Sequence, residues 1–487
     1  MQAAGETLDV VIVGAGISGV AAAHYMRALC PGRTYTILEA RDAIGGTWDL
    51  FRYPGVRSDS DMFTLGYTFR PWQGDSSFAP GPAIRDYVAE TARAEGIDRH
   101  IRFGHRVIGA DWDSSTAQWT VNVRTRGGDA SLRCSFLFFC SGYYDYEGGH
   151  DPGFAGIGDF RGTVVHPQQW PAQLDWAGRR VVVIGSGATA ITLVPEMAKE
   201  AAHVTMLQRS PSYIVALPAR DRIGALLQRV LPQRAAYRLV RWKNIALAGA
   251  FYKFCRARPQ AARRLIEKGA RHLLGPGFDV ARHLSPRYDP WDQRMCIAPD
   301  GDMFRALRSG KASIATGEID RFTPGGVRLA SGEEIEADVV VTATGLKLKV
   351  LGGAVLRVDG RLVDTAQATV YRGVMYSGVP NFAVTFGYTN ASWTLKCELI
   401  SRYVCRLLNR MAERGEQFCV PVHEGGADDA QPFLDLSSGY VRRAAHLMPR
   451  QGRASPWRMY QSYLRDYVSL RIAPVDDAAL HFGKVRV

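Results

Sequence analysis

The sequence is poor in several things, and each shortage removes a class of protein. Its eight cysteines, at positions 30, 134, 140, 255, 296, 397, 405 and 419, never form a C-x-x-C pair. That argues against a redox disulfide, a zinc site or an iron–sulfur cluster, so no metal is expected and reduced cytosolic thiols fit better. No apolar run suffices for a membrane span, because the longest one, near the N-terminus, is broken by three glycines. Met1 to Thr7 holds no basic n-region, so a cytoplasmic rather than a secreted protein is expected. Acids are scarce in one place: Arg220 to Arg271 holds fourteen Lys or Arg against only Asp221 and Glu267, a local excess of twelve in a net charge of +13. The rest of the chain is close to neutral, and no aromatic-interleaved basic sheet accompanies the segment, so no nucleic-acid partner is expected.

What is present is an ordinary globular composition, 46% apolar and 22% charged over 487 residues. At about 150 residues per domain, two or three domains follow. The chain is organised around Leu8 to Glu39. An apolar strand (Leu8 to Val13) runs into Gly14-Ala15-Gly16-Ile17-Ser18-Gly19, a helix follows from Ser18 to Leu29, and a second strand from Thr34 to Leu38 ends on Glu39. Gly14 makes the tight turn, Gly16 lets the backbone approach a pyrophosphate, and Gly19 lets helix and strand pack closely. The pyrophosphate sits at the helix N-terminus, where unpaired N–H groups and the dipole favour an anion. Glu39, 20 residues beyond Gly19, is placed to hydrogen-bond an unphosphorylated ribose.

Further on, Gly45 to Asp59 reads as a loop over a ligand. Pro82 to Glu95 reads as an amphipathic helix, Arg106 to Asp111 and Gln118 to Arg124 as strands of an antiparallel meander, and Phe136 to Cys140 as a buried strand. The opening device then repeats. Arg180 to Ile184 is a strand, Gly185-Ser186-Gly187-Ala188-Thr189-Ala190 is the turn, and Pro195 is expected to kink the following helix or end it early. Here His203 to Leu207 leads into Gln208-Arg209-Ser210, with no acid. An acid would repel a 2′-phosphate, whereas Arg209 can make a charge-assisted contact to it. The first unit therefore suits the ADP half of FAD and the second NADPH. Arg220 to Leu274 reads as basic-faced helices, with Leu239, Trp242, Ile245 and Leu247 interleaved with Arg238, Arg241 and Lys243. Three readings stand for this segment: a solvated insertion, a peripheral membrane surface, or steering of anionic NADPH. Glu334 to Gly345 reads as one strand closing on Ala343-Thr344-Gly345, and Thr389 or Asn390 as the N-cap of a helix whose positive end stabilises an anionic ring. The part around Pro456-Trp457 reads as a cover over the first domain.

Together, Gly46-Thr47-Trp48, Arg52-Tyr53-Pro54-Gly55, the Phe160-x-Gly162 to His166 to Trp170-Pro171 signature between the two units, Gln208-Arg209-Ser210-Pro211 and Ala343-Thr344-Gly345 resemble the Baeyer–Villiger monooxygenases of the class B flavoproteins. The resemblance runs from about Leu8 to Trp457. Phe51 to Gly55, Pro290 to Arg294 and Gly387 to Trp393 look closest to the ethionamide-activating branch, which also oxidises thioamides. It implies an α/β fold with two Rossmann-like domains and a helical basic insertion: an FAD part at 1–150, an NADPH part at 151–335 with the insertion at about 220–275, and a second FAD part with a cover at 336–487. It implies NADPH- and O₂-dependent insertion of oxygen beside a ketone carbonyl through a C4a-peroxyflavin, with sulfides or thioamides as further substrates. By motif position Arg294 stabilises the anions and Asp59 orients it. Thr47 and Trp48 touch the flavin, Val107 the adenine side, and Arg57, Ser58 and Asp59 the nicotinamide. His166 is tied to domain motion and is not catalytic.

The sequence departs from the family at Pro167, at Leu346-Lys347 and at Gln293, where relatives carry Thr, an aromatic followed by Asp, and Lys. With Gln293 unable to help hold a 2′-phosphate, NADPH preference rests more heavily on Arg209. The rival functions are an N- or S-oxygenating flavin monooxygenase, a non-enzymatic NADPH sensor, and an NADPH-dependent reductase. A disulfide reductase needs a C-x4-C pair in the first flavin loop, and Arg41 to Ser60 contains no cysteine.

Overall fold

Two β-sheets, each with an apolar strand running into a glycine turn, carry the chain. The computed structural model describes residues 7–74, 76–425 and 429–485; residues 1–6, on which most of the leader reading rests, lie outside the described residues. In the nine-stranded first sheet, Thr7–Val13 lies between Tyr35–Leu38 and the C-terminal half of Gly128–Phe139, all parallel, and Phe382–Val384 flanks that last strand. The N-terminal half of Gly128–Phe139 pairs antiparallel with Gln118–Thr125, which pairs with Arg106–Asp113 and completes the expected meander. Val10 and Ile12 face a core shared with the helices Ile17–Leu29 and Trp393–Arg414, while Val11 and Val13 face one built from Trp112, Trp119 and Phe382. Burial of both faces is why this strand is an unbroken apolar run rather than an alternating one.

The second sheet is parallel throughout, in the order Ala312–Thr316, His203–Gln208, Arg180–Ile184, Val339–Thr342, Thr163–Val165. The helix Ala188–Met197 stops two residues beyond Pro195. The stretch expected as one strand from Glu334 to Gly345 is two. Glu334–Glu336 closes a small antiparallel sheet, and Val339–Thr342 inserts into the second sheet. The break is fixed by Asp338, whose carboxylate accepts from the main-chain N–H and the guanidinium of Arg180, both at 2.8 Å. The chain thus leaves the second sheet at Ala343–Gly345 rather than at 336. Its two crossings run side by side, Tyr144–Gly149 antiparallel to Leu346–Leu348.

The basic segment forms the helices Arg222–Val230, Gln233–Ala257 and Pro259–Leu274. One part of the expected pattern is inverted. Arg241 is buried, donating to the carbonyls of Phe63 (2.8 Å) and Gly66 (2.7 Å) and to Glu398 (2.9 Å), while Leu239, Trp242 and Leu247 are exposed. A guanidinium can be buried where carbonyls and a carboxylate satisfy its fork. No helix among the described residues is long and apolar enough to cross a membrane.

Candidate active site

At the first turn Gly14 adopts φ +103°, and a Cβ there would lie 2.9 Å from the Cys140 carbonyl oxygen; one on Gly19 would lie 1.8 Å from that of Gly14. The requirement for glycine at 14 and 19 is therefore set by backbone contact. Gly16 abuts Gly46 of the following loop. Glu39 is buried, and its two oxygens accept from the main-chain N–H groups of Ala15 (2.7 Å) and Arg41 (2.9 Å). Burial pushes its carboxyl above the usual range, against these two hydrogen bonds. Ser18 is also buried, and its hydroxyl accepts from the Trp393 indole at 2.7 Å, joining the first helix to the last long one.

The loop from Gly45 contains a short helix, Thr47–Leu50, that the sequence reading left as loop. It forms because Asp49 is buried between two arginines, accepting from Arg41 and Arg52 at 2.6 Å each. Thr47 meets the Tyr146 hydroxyl at 3.3 Å, and Trp48 packs on Met62, Leu65 and Ile84.

The second turn is similar but more open. Gly185 (φ +135°) would drive a Cβ to 2.3 Å from the Ala343 carbonyl oxygen, whereas a Cβ on Gly187 would meet nothing within 4 Å. Gly187 and Ala188, at the start of the helix, are exposed, and Ala190 packs in the core. Tyr53, from the first domain's loop, packs against the core of the second domain. Ser186 donates to the Ser210 carbonyl at 2.9 Å, so the turn and the end of the neighbouring strand are coupled. Arg209 and Ser210 are exposed there, and Arg209 has no ion pair among the described residues.

Between the turns runs Arg52 to Asp59. A Cβ on Gly55 (φ +73°) would lie 3.0 Å from Cβ of Glu196, so this loop rests against the second domain's helix. Ser58 is buried and exchanges hydrogen bonds with Ala79. Arg57 pairs with Asp302 at 2.5 Å. Asp59 Oδ1 accepts from Arg294 Nη2 at 3.1 Å, and Oδ2 lies in ion-pair contact with Nε at 3.0 Å. The Asp59 charge holds the Arg294 guanidinium proton far more tightly than usual. Nη1 of Arg294 has no partner among the described residues. Cys296, buried beside the pair, has its thiol pushed up to about 12 by burial.

Three expectations are corrected or narrowed. The N-cap position of the helix Trp393–Arg414 is Ser392, whose hydroxyl meets that of Thr64 rather than the helix backbone, and not Thr389 or Asn390. Those two residues are instead pinned by Gln461: its side-chain carbonyl accepts from the Thr389 N–H (3.1 Å), and its main-chain carbonyl from the Asn390 amide (2.9 Å). Ser18 spends its hydroxyl on Trp393. The Val107 side chain packs in the core, which leaves its main chain for the adenine side. The sequence reading missed Tyr143, Tyr144 and Tyr440, whose phenols are close enough to Arg294 to feel its charge and are held protonated by burial. Tyr143 also lies 5.5 Å from Trp393 and 6.0 Å from Phe386, ring to ring. Their signal was position: Tyr143 and Tyr144 follow the C-terminal end of a central parallel strand, where open α/β sheets place ligands.

The donor set fits two dinucleotides. Arg57 Nη2 and Asn390 Oδ1 are buried without a partner, and Gly187 leaves space beside an open helix N-terminus. Such orphans are costly unless a ligand satisfies them. Fold and site together define a two-dinucleotide α/β flavoprotein of the oxygenating type, with a carboxylate-oriented arginine between its nucleotide turns. Residues 7–239 match the model described as FMO-like, flavin-binding monooxygenase-like. The chain is 52% identical to the FAD-containing monooxygenase EthA of Mycobacterium tuberculosis, over 98% of each chain. It is 50% identical to EthA of Mycolicibacterium smegmatis, over 99% of this chain and 98% of the relative. It superposes on a steroid monooxygenase bound to NADP with a TM-score of 0.78, at 24% identity over 98% of this chain and all of that one. The chain belongs to the flavin-binding monooxygenase-like family, and FAD with a nicotinamide dinucleotide is the cofactor pair its two turns predict.

Proposed function

We propose that the protein is an NADPH- and O₂-dependent FAD monooxygenase that inserts oxygen beside a ketone carbonyl to give an ester or lactone. Sulfides and thioamides are further substrates, as the resemblance to the ethionamide-activating branch implies. The observation that supports this most is the Arg294–Asp59 pair, a permanent positive charge in fixed orientation within an aromatic wall at the junction of the two turns. Gly14, Ala15, Gly16, Ser18, Gly19 and Glu39 would hold the ADP half of FAD, with Val107 on its adenine side, and Thr47, Trp48 and Asn390 would hold its ring system. Gly185, Ser186, Gly187, Ala188, Thr189 and Ala190 would take the NADPH pyrophosphate, Arg209 and Ser210 its 2′-phosphate, and Arg57 and Ser58 the nicotinamide side. Bound FAD, once reduced by NADPH, supplies the activated oxygen.

The chain's own residues then have two tasks. Asp59 engages Nε and Nη2 of Arg294, which leaves Nη1 free to donate to an oxygen that gains negative charge as a carbonyl is attacked. Preorganised donors in a dry site are worth most at that moment. Tyr143, Tyr144 and Tyr440 keep the site dry and, remaining protonated, add no competing anion. Incubating the FAD-loaded protein under air with NADPH and a panel of ketones, and in parallel a panel of sulfides and thioamides, should yield esters from the ketones, read by mass spectrometry against a peroxide assay. NADPH use balanced entirely by peroxide with every ketone would sink the ketone reaction, and sulfoxides or sulfinates alone would favour the heteroatom-oxygenating reading.

A further inference from the structure

We infer that the face made by the basic insertion and the last helical segment seats the protein on an anionic lipid bilayer. In Arg222–Val230, Ile223, Leu226 and Val230 lie at i, i+3 and i+7 and are each more than half exposed, so the apolar stripe of this amphipathic helix points away from the protein. Its N-cap Asp221 is paired with Lys243 of Gln233–Ala257, which holds the two helices together. That longer helix exposes Trp242, whose ring lies 5.6 Å from Tyr463 and 6.1 Å from Tyr467. A second exposed stripe is thereby brought alongside: Leu464, Val468 and Ile472, at i, i+4 and i+8, again each more than half exposed. Two exposed apolar stripes whose helices both pack on Gln233–Ala257 mark an interaction site.

Charge decides what covers it. Arg222, Arg229, Arg234 and Arg238 are exposed and have no ion pair among the described residues. The nearby carboxylates are already used: Asp221 by Lys243, Glu267 by Arg263 and Arg271, and Asp466 by Lys396 in the interior. Among the described residues the face is therefore apolar and cationic, with these three carboxylates already paired. A second copy of the same face would meet like charge, and a nucleic acid would have no use for the leucines. Acidic headgroups over acyl chains match both halves, and Trp242 with its two tyrosines supplies the aromatic residues that favour the interface. The surface is rigid, because Arg241, beside Trp242, is fastened to the carbonyls of Phe63 and Gly66 in the segment that follows Asp59.

The test uses the full FAD-loaded chain sedimented with vesicles of phosphatidylglycerol and phosphatidylcholine, or of phosphatidylcholine alone. Binding is expected only with the acidic lipid and weakens as salt rises. Arg222→Ala with Arg229→Ala should weaken it by roughly thirtyfold. Leu226→Asp with Leu464→Asp should abolish it, while the flavin absorbance and its reduction by NADPH stay as in the parent, showing an intact fold. Failure to bind acidic vesicles would overturn the inference, as would binding indifferent to the leucine changes. A dimer that Leu226→Asp converts to monomer would give the face to a second copy instead.

Discussion

Arg57 and Asp302 form a 2.5 Å ion pair that ties the loop carrying Asp59 to the start of the helix Asp302–Arg308 in the second domain. Only one end of the Arg57 fork is so engaged; Nη2 is buried and unpartnered. On the proposed nicotinamide assignment of Arg57, Asp302 sets where this cation points. Asp302→Ala should raise the Michaelis constant for NADPH roughly five- to thirtyfold, from about 1–2 kcal/mol of lost orientation, with FAD affinity unchanged. Titrating the rate of flavin reduction against NADPH checks this, and an unchanged constant would mean that Arg57 is a structural tether only.

Arg294→Ala should leave FAD bound and reducible by NADPH while ester formation falls by roughly 10²–10³ or more. Arg294→Lys should recover little, because an ammonium cannot be held by Asp59 at two points and still present a free donor in the same plane. Product analysis alongside flavin spectra separates the two steps. Full oxygenation by the alanine variant would remove Arg294 from the chemistry.

Arg209 is exposed and unpaired, so its loss should not disturb the fold. Arg209→Ala is expected to raise the Michaelis constant for NADPH by tenfold or more, in line with about 1.5–3 kcal/mol for a hydrogen bond to a charged group, and to leave that for NADH nearly unchanged. Steady-state kinetics with both dinucleotides decide it; equal effects would undo the 2′-phosphate assignment.

His166 packs its ring against Gly149, where an added Cβ would lie 1.9 Å away, beside the paired interdomain crossings. Burial holds its imidazole below the ordinary value of about 6.5. The unfolded chain therefore binds more protons than the folded one as pH falls, so this contribution to stability is full above about 6.5 and lost below it. His166→Asn should flatten the fall in denaturation midpoint between pH of about 7.5 and about 5.5. Parallel slopes for parent and variant would show that other histidines carry the effect.

Much of this architecture was legible before folding because it is local. A glycine turn, its strand, its helix and the residue closing the next strand lie within some thirty positions, and sterics and the helix terminus dictate their types. The acid at Glu39 and the lack of one in Gln208-Arg209-Ser210 distinguished the two units in the sequence for the same reason. Family resemblance named Arg294 and Asp59, but only the folded chain brings them together across 235 residues. Other features had no local signal: Tyr440 arriving beside Arg294, Ser392 rather than Asn390 taking the N-cap position of the last long helix, and Val339–Thr342 inserting into the second sheet. Each depends on which distant segment supplies the partner.

The basic helices show where that line falls. Periodicity in the sequence determined that Arg220 to Leu274 forms helices with basic faces, since spacing alone sets which residues share a stripe. Which stripe turns inward was decided by the tertiary structure. The carbonyls of Phe63 and Gly66 and the carboxylate of Glu398 offered the Arg241 guanidinium a better environment than solvent, and the leucines and Trp242 were left outside. A side chain is buried according to the partners it meets, and those partners are fixed only when the whole chain closes.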